Sequence, residues 1–231
     1  MRSLSIGIML LGMGWASGQN MLNHNSITLN YKFHPKFFLY AETQLRSNKD
    51  FTYPDYYEIK GGMGYNITKN HKPLVGLGRF VTYADHRLDK EEFRIWLQDV
   101  VNYKWHTVKI ENRLRFEHSW FYAPQKDEHS GRNRIRYRLS ASLPLNNKEI
   151  KKGTLYASAY DEIFFTLNGD PFTSRNRVYG GLGYQIDETF TLSSGYLWQR
   201  EFDHNKGNKN MNFVYMNLSI NLDGTKLEQR P

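Results

Sequence analysis

Histidines beside carboxylates are the residues of this chain best suited to breaking a bond. Glu117-His118-Ser119 contains the residue types of a lipase-like triad. Consecutive residues of a strand point to opposite faces, however, so His118 and Ser119 cannot act as a neighbouring dyad on one. Asp85-His86 and Asp203-His204, with Asp89 or Asp170, fall in expected loops. They would make an Asp/His hydrolytic site for lipid or peptide if folding brought them within hydrogen-bond reach. The sequence has 0 cysteines, which removes a thiolate nucleophile, thiolate metal sites, disulfides and a lipid-modified cysteine. It has no HExxH and no regular calcium loop, and Gly76-Leu77-Gly78 does not open a helix as a dinucleotide site requires. No catalytic residue, metal or cofactor is therefore assigned.

Arginine, by contrast, recurs at every second residue in particular segments. Arg132, Arg134, Arg136 and Arg138 share one side of a segment whose other side holds Ile135, Tyr137 and Leu139. The preceding segment puts Val108, Ile110, Leu114, Phe116, Trp120 and Tyr122 opposite Lys109, Glu111, Arg113, Arg115 and Glu117. Period two is the signature of a strand with two unlike faces. Equivalent strands are predicted over 37–46, 56–67, 73–84, 93–105, 154–165, 175–186, 189–202 and 211–222. They exceed the ~5 to 6 residues of an average soluble strand and suit a tilted membrane crossing of ~9 to 11. The predicted fold is all-β, an antiparallel transmembrane β-barrel of about 10 to 12 strands.

Magnitude decides which face meets lipid. An arginine facing lipid at the midplane costs about 2 to 4 kcal/mol, so the arginine rows must point into the lumen. On that register the lumen holds Glu42, Arg46, Glu58, Lys60, Arg94, Arg113, Arg115, Glu117, Arg134, Arg136, Arg138, Tyr160, Glu162, Arg175 and Arg177. Lys104, Arg132, Glu111 and Glu201 join them. Tyr103, Trp105, Trp120, Tyr122, Tyr196 and Trp198 fall outside, as an interfacial aromatic girdle would. Cations outnumber carboxylates in this lumen, which leaves two uses open. Arg-Glu ladders would fill a small barrel, or the surplus charge would line a narrow, porin-like, anion-favouring passage.

The chain has 231 residues and a formal net charge of +8. Arginines alternating with apolar residues on strands are hidden inside a barrel, so this charge does not point to nucleic acid. Outer-membrane lipid is the expected partner, and lipopolysaccharide phosphates a further one, met by Lys49, Arg87, Lys90 and Lys126 at the rim. Met1-Arg2, the apolar stretch 4–11 and the small residues Ala16 and Gly18 read as a signal peptide over 1–18. The barrel then spans 19–222, followed by a tail over 223–231. Short connections such as 68–72, 106–107 and 187–188 alternate with longer ones at 47–55, 123–131, 166–174 and 203–209. That is the pattern of periplasmic turns and extracellular loops. Ten such strands leave both ends of the barrel on one side; the alternating segment 27–33 adds an eleventh and spoils the even count. Gly61-Gly62-Met63-Gly64-Tyr65-Asn66-Ile67 is echoed by Gly180-Gly181-Leu182-Gly183-Tyr184-Gln185-Ile186. Glycines there permit bending and close packing in two hairpins built alike. The competing folds and functions are a rim Asp/His hydrolase and a soluble periplasmic barrel holding an apolar ligand.

The runs Tyr40-Ala41-Glu42-Thr43-Gln44-Leu45-Arg46, Glu111-Asn112-Arg113-Leu114-Arg115-Phe116-Glu117, Tyr160-Asp161-Glu162-Ile163-Phe164-Phe165 and Gly195-Tyr196-Leu197-Trp198-Gln199, with the arginine row of 132–139 and the segment 175–184, carry a family likeness. Together they resemble the outer-membrane barrel family known as domain of unknown function 2490, over roughly 27–222. The resemblance implies a Gram-negative outer-membrane barrel and supplies no catalytic residues. The sequence departs from ordinary outer-membrane barrels in its tail, which places any C-terminal assembly signal within 213–222.

Overall fold

A segment that alternates charged and apolar side chains can satisfy both only as an extended strand with a different environment on each face. In this computed structural model, which describes residues 21–47, 54–169, 172–203 and 207–226, eleven such strands form. They are β1 (Met21–His34), β2 (Phe37–Ser47), β3 (Pro54–Tyr65), β4 (Leu74–Ala84), β5 (Arg87–Trp105), β6 (Val108–Ala123), β7 (Glu128–Pro144), β8 (Thr154–Thr166), β9 (Phe172–Gln185), β10 (Phe190–Glu201) and β11 (Lys209–Asp223). Each pairs antiparallel with its sequence neighbour, and β1 closes the barrel against β11. That last pairing is parallel, from Met21 beside Asn212 to Lys32 beside Asp223. The parallel seam admits the odd strand: 27–33 lies within the full strand β1. It also corrects the expectation that the two ends of the barrel share a side, because an odd number of crossings puts Met21 and Asp223 at opposite rims.

The rim holding 35–36, 66–73, 106–107, 145–153 and 186–189 is called basal here, and the other distal. The expected division into short and long connections does not hold. The basal rim carries long connections at 66–73 and 145–153. The distal rim turns tightly at Asp85-His86, where both residues have positive φ (47 and 63), as a two-residue hairpin turn of the primed type requires. The reason is that residues 87–92 and 128–131, read as loop, pair as strand: Arg87 lies opposite Ala84 and Glu128 opposite Ala123.

The wall is polarised as the alternation demands. Leu39, Ile59, Leu77, Leu97, Phe116 and Leu139 stand exposed on the outside, whereas Glu58, Arg94, Arg115, Glu117, Arg134, Arg136 and Glu162 are buried inside. An apolar cluster of Tyr179, Leu197 and Phe213 fills the inner wall near the seam. Inward aromatic rings lie flat on glycines of the next strand. A Cβ on Gly76 would come within 2.2 Å of the Trp96 ring, and one on Gly183 within 2.1 Å of the Tyr156 ring. The repeated glycine motif therefore seats inward rings, Phe38 on Gly64 in one copy and Tyr156 on Gly183 in the other.

Candidate functional site

Two carboxylates organise the middle of the lumen. Glu117 on β6 has a side chain with 0% exposure, so its charge depends wholly on protein partners. Register brings Arg134 of β7 opposite it. Arg134 donates to Oε2 from Nε (2.9 Å) and Nη2 (2.5 Å), and Arg136 donates to Oε1 from Nη1 (2.7 Å). Arg115 and Arg94 approach the same carboxylate at 3.5 and 3.7 Å. Glu162 on β8 receives the other edge of Arg136, from Nε at 3.1 Å and Nη2 at 2.8 Å, and a further bond from Arg113. Arg136 thus bridges two carboxylates with its planar fork, a geometry no lysine could supply.

The ring of Phe164 lies beneath this array. The guanidinium carbons of Arg136, Arg134, Arg177 and Arg175 stand 4.3, 4.9, 5.0 and 5.4 Å from its centroid, within cation-π range. Arg175 bonds Glu201, and Arg177 donates to Gln199 at 2.6 Å. Across the lumen, Arg46 stacks on Tyr56 at 4.4 Å, Tyr56 and Lys60 both donate to Glu58, and Lys60 pairs with Glu42 at 2.8 Å. Tyr160 stacks on Tyr179 with centroids 5.0 Å apart. The residues expected in the lumen all lie on the inner wall, and most form one connected plug; Lys104 is the exception, an exposed rim residue beside Glu149.

On the basal side of the plug the lumen opens into a cavity of about 1480 Å³. Its position follows from the strands. Along β6 it is lined by Lys109, Glu111, Arg113 and Arg115 but not by Glu117, and along β7 by Arg138 alone among the arginine row. Along β2 it reaches Phe38, Tyr40 and Glu42 and stops short of Gln44 and Arg46. The plug is its floor.

The six aromatic residues expected outside all lie on the outer face: Tyr103 and Trp105 toward the basal rim, Trp120 and Tyr122 toward the distal one, and Tyr196 and Trp198 on β10. His118 is also outside, edge-on to Trp120 at 4.2 Å and bonded to Asn133 at 2.6 Å. Ser119 faces inward to Arg94, so the two do not meet. Asp85 and His86 form the distal turn and Asp89 lies on β5, whereas Asp170, His204 and Lys49 lie outside the described residues, as does the 1–18 segment. The plug's central ring, Phe164, was hidden by its apolar type, although its spacing from Glu162 already gave it an inward parity. Trp96 is inward for the same reason.

A model of the family described as Protein of unknown function (DUF2490) matches residues 23–212. No curated protein matches the chain.

Proposed function

The chain belongs to the DUF2490 family of proteins of unknown function, and from that premise we propose that it is a bacterial outer-membrane β-barrel, non-enzymatic, whose lumen the Arg/Glu plug closes to ion flow. The observation that carries this reading is the inverted polarity of the wall, with large apolar side chains outside and ionised ones buried within. A barrel in water would pack the apolar face inward; lipid rewards the reverse. Polar groups on the outer face are largely paired with one another, which is what a solvent without hydrogen bonds requires. Arg79 bonds Glu91, Asn176 bonds Asp161, and Tyr137 donates to Asn112 at 2.6 Å. The outward Tyr and Trp residues near both rims have the amphipathic character of interfacial anchors, and the 1–18 segment is the export signal such a location needs.

The test is reconstitution of the mature chain in detergent followed by insertion into a planar bilayer. Insertion is expected, read as a heat-shifted gel band and as retention in carbonate-washed membranes, without stable conductance steps. Anion-selective steps would instead make the lumen a passage. Release by carbonate would favour a soluble periplasmic barrel.

A further inference from the structure

The basal cavity has a charge balance that its own walls do not satisfy. Every carboxylate lining it is already committed: Asp223 to Lys32 at 3.3 Å, Glu188 to Lys226 at 2.6 Å, Glu111 to Arg138 at 2.7 Å and Glu42 to Lys60 at 2.8 Å. Lys36, Lys69, Lys72 and Lys109 line the same cavity and make no ion pair among the described residues. Two of them stand on the connection 66–73, which is stitched into the rim. Lys72 donates its backbone N–H to Val100 at 2.9 Å, Asn102 donates to Asn70 at 2.8 Å, and Asn66 donates to Lys36 at 2.7 Å. His71 ties the same segment to Asp99 at 2.9 Å. The lysines are therefore held at the mouth by a fixed backbone. Burial, together with the Lys109 and Lys32 ammonium groups and against Glu111, holds Lys72 below the usual lysine range. Deeper in, Arg113 and Arg138 each leave a buried Nε without a hydrogen-bond partner.

A cleft of one sign between low-dielectric walls concentrates counter-ions of the other. We infer that the basal cavity is a binding site for a soluble, multiply charged anion bearing phosphate or carboxylate groups, gripped at the mouth by Lys36, Lys69, Lys72 and Lys109. The volume exceeds the roughly 300 to 1,000 Å³ of common small-molecule pockets, so a ligand of oligosaccharide size fits. The plug beneath makes it a one-ended receptacle. This inference does not depend on the membrane location, and its test leaves that location aside.

Inositol hexakisphosphate is titrated calorimetrically into the refolded barrel in a neutral detergent at low salt, with myo-inositol as the uncharged control. Saturable binding of the hexakisphosphate alone is expected, weakening as salt rises. The variant Lys36→Gln/Lys69→Gln/Lys72→Gln/Lys109→Gln should bind about tenfold more weakly or worse. Lys90→Gln/Lys126→Gln, at the distal rim, should bind as the parent does. Each protein is used only after its circular dichroism shows folded β-structure that melts cooperatively, and the two-lysine subset Lys36→Gln/Lys69→Gln stands in if the fourfold variant does not fold. Absence of saturable binding by the parent, or equal affinity in the basal and distal variants, overturns the inference.

Discussion

Glu117 is the residue on which most of the plug converges. With its side chain sealed from solvent and two arginines bonded to it, its charge is worth more as a partner than as a free carboxylate. Removing one member of a buried ion network costs about 3 to 5 kcal/mol, because the cations left behind lose their compensation. Glu117→Gln should therefore lower the temperature at which the compact gel band converts to the unfolded one, and Glu162→Gln should do so as well, since Arg136 and Arg113 lean on it. Unchanged conversion temperatures in both variants would mean that the array contributes nothing to holding the barrel. Phe164 makes a separate contribution through its ring face. Phe164→Leu keeps the volume roughly constant but removes the surface on which four guanidinium groups rest, so about 0.5 to 2 kcal/mol should be lost with the salt bridges intact.

At the scale of strands, the packing of rings on glycines sets how closely neighbours approach on the inner wall. Gly76→Ala forces its new methyl group into Trp96, an overpacking that costs about 1 to 3 kcal/mol. Trp96→Leu in the same chain should recover part of that loss, and a double-mutant cycle of urea midpoints measures the coupling. Additive effects would show that the contact is not what the glycine serves. Most strand positions could be read from the sequence because alternation is a local signal: 108–122 and 154–165 differ from β6 and β8 by only one residue at one end. The extra length of β5 could not, since 87–92 is charged at every residue but Leu88 and a register shift at Tyr83 breaks its alternation. Glu162 and the arginine row were legible by parity, and the same parity held Phe164. The lysines at 69 and 72 were not, because a connection's place at the rim depends on backbone bonds to Val100 and to Lys36 that no periodicity encodes.

For the molecule as a whole, parity of strand number fixes sidedness. Met21 begins β1 at the distal rim and Asp223 ends β11 at the basal one. In a membrane, an epitope placed ahead of residue 21 and another placed after residue 226 should be reached from opposite faces. One should be stained on intact cells and the other only after the envelope is opened; staining of both under one condition would contradict the parallel seam. That seam also has a consequence for how the barrel comes into being. Every other pairing joins consecutive strands and forms as soon as a hairpin is made. The bond from Ser26 Oγ to Asn217, by contrast, joins residues 191 apart in sequence. Closure waits on the final strand, and until then β1 and β10 are both bare edges, open to pairing with other chains. Any helper in assembly must shield those two edges from stray partners and let go at the step that lays β11 between them, when Met21 comes to rest beside Asn212.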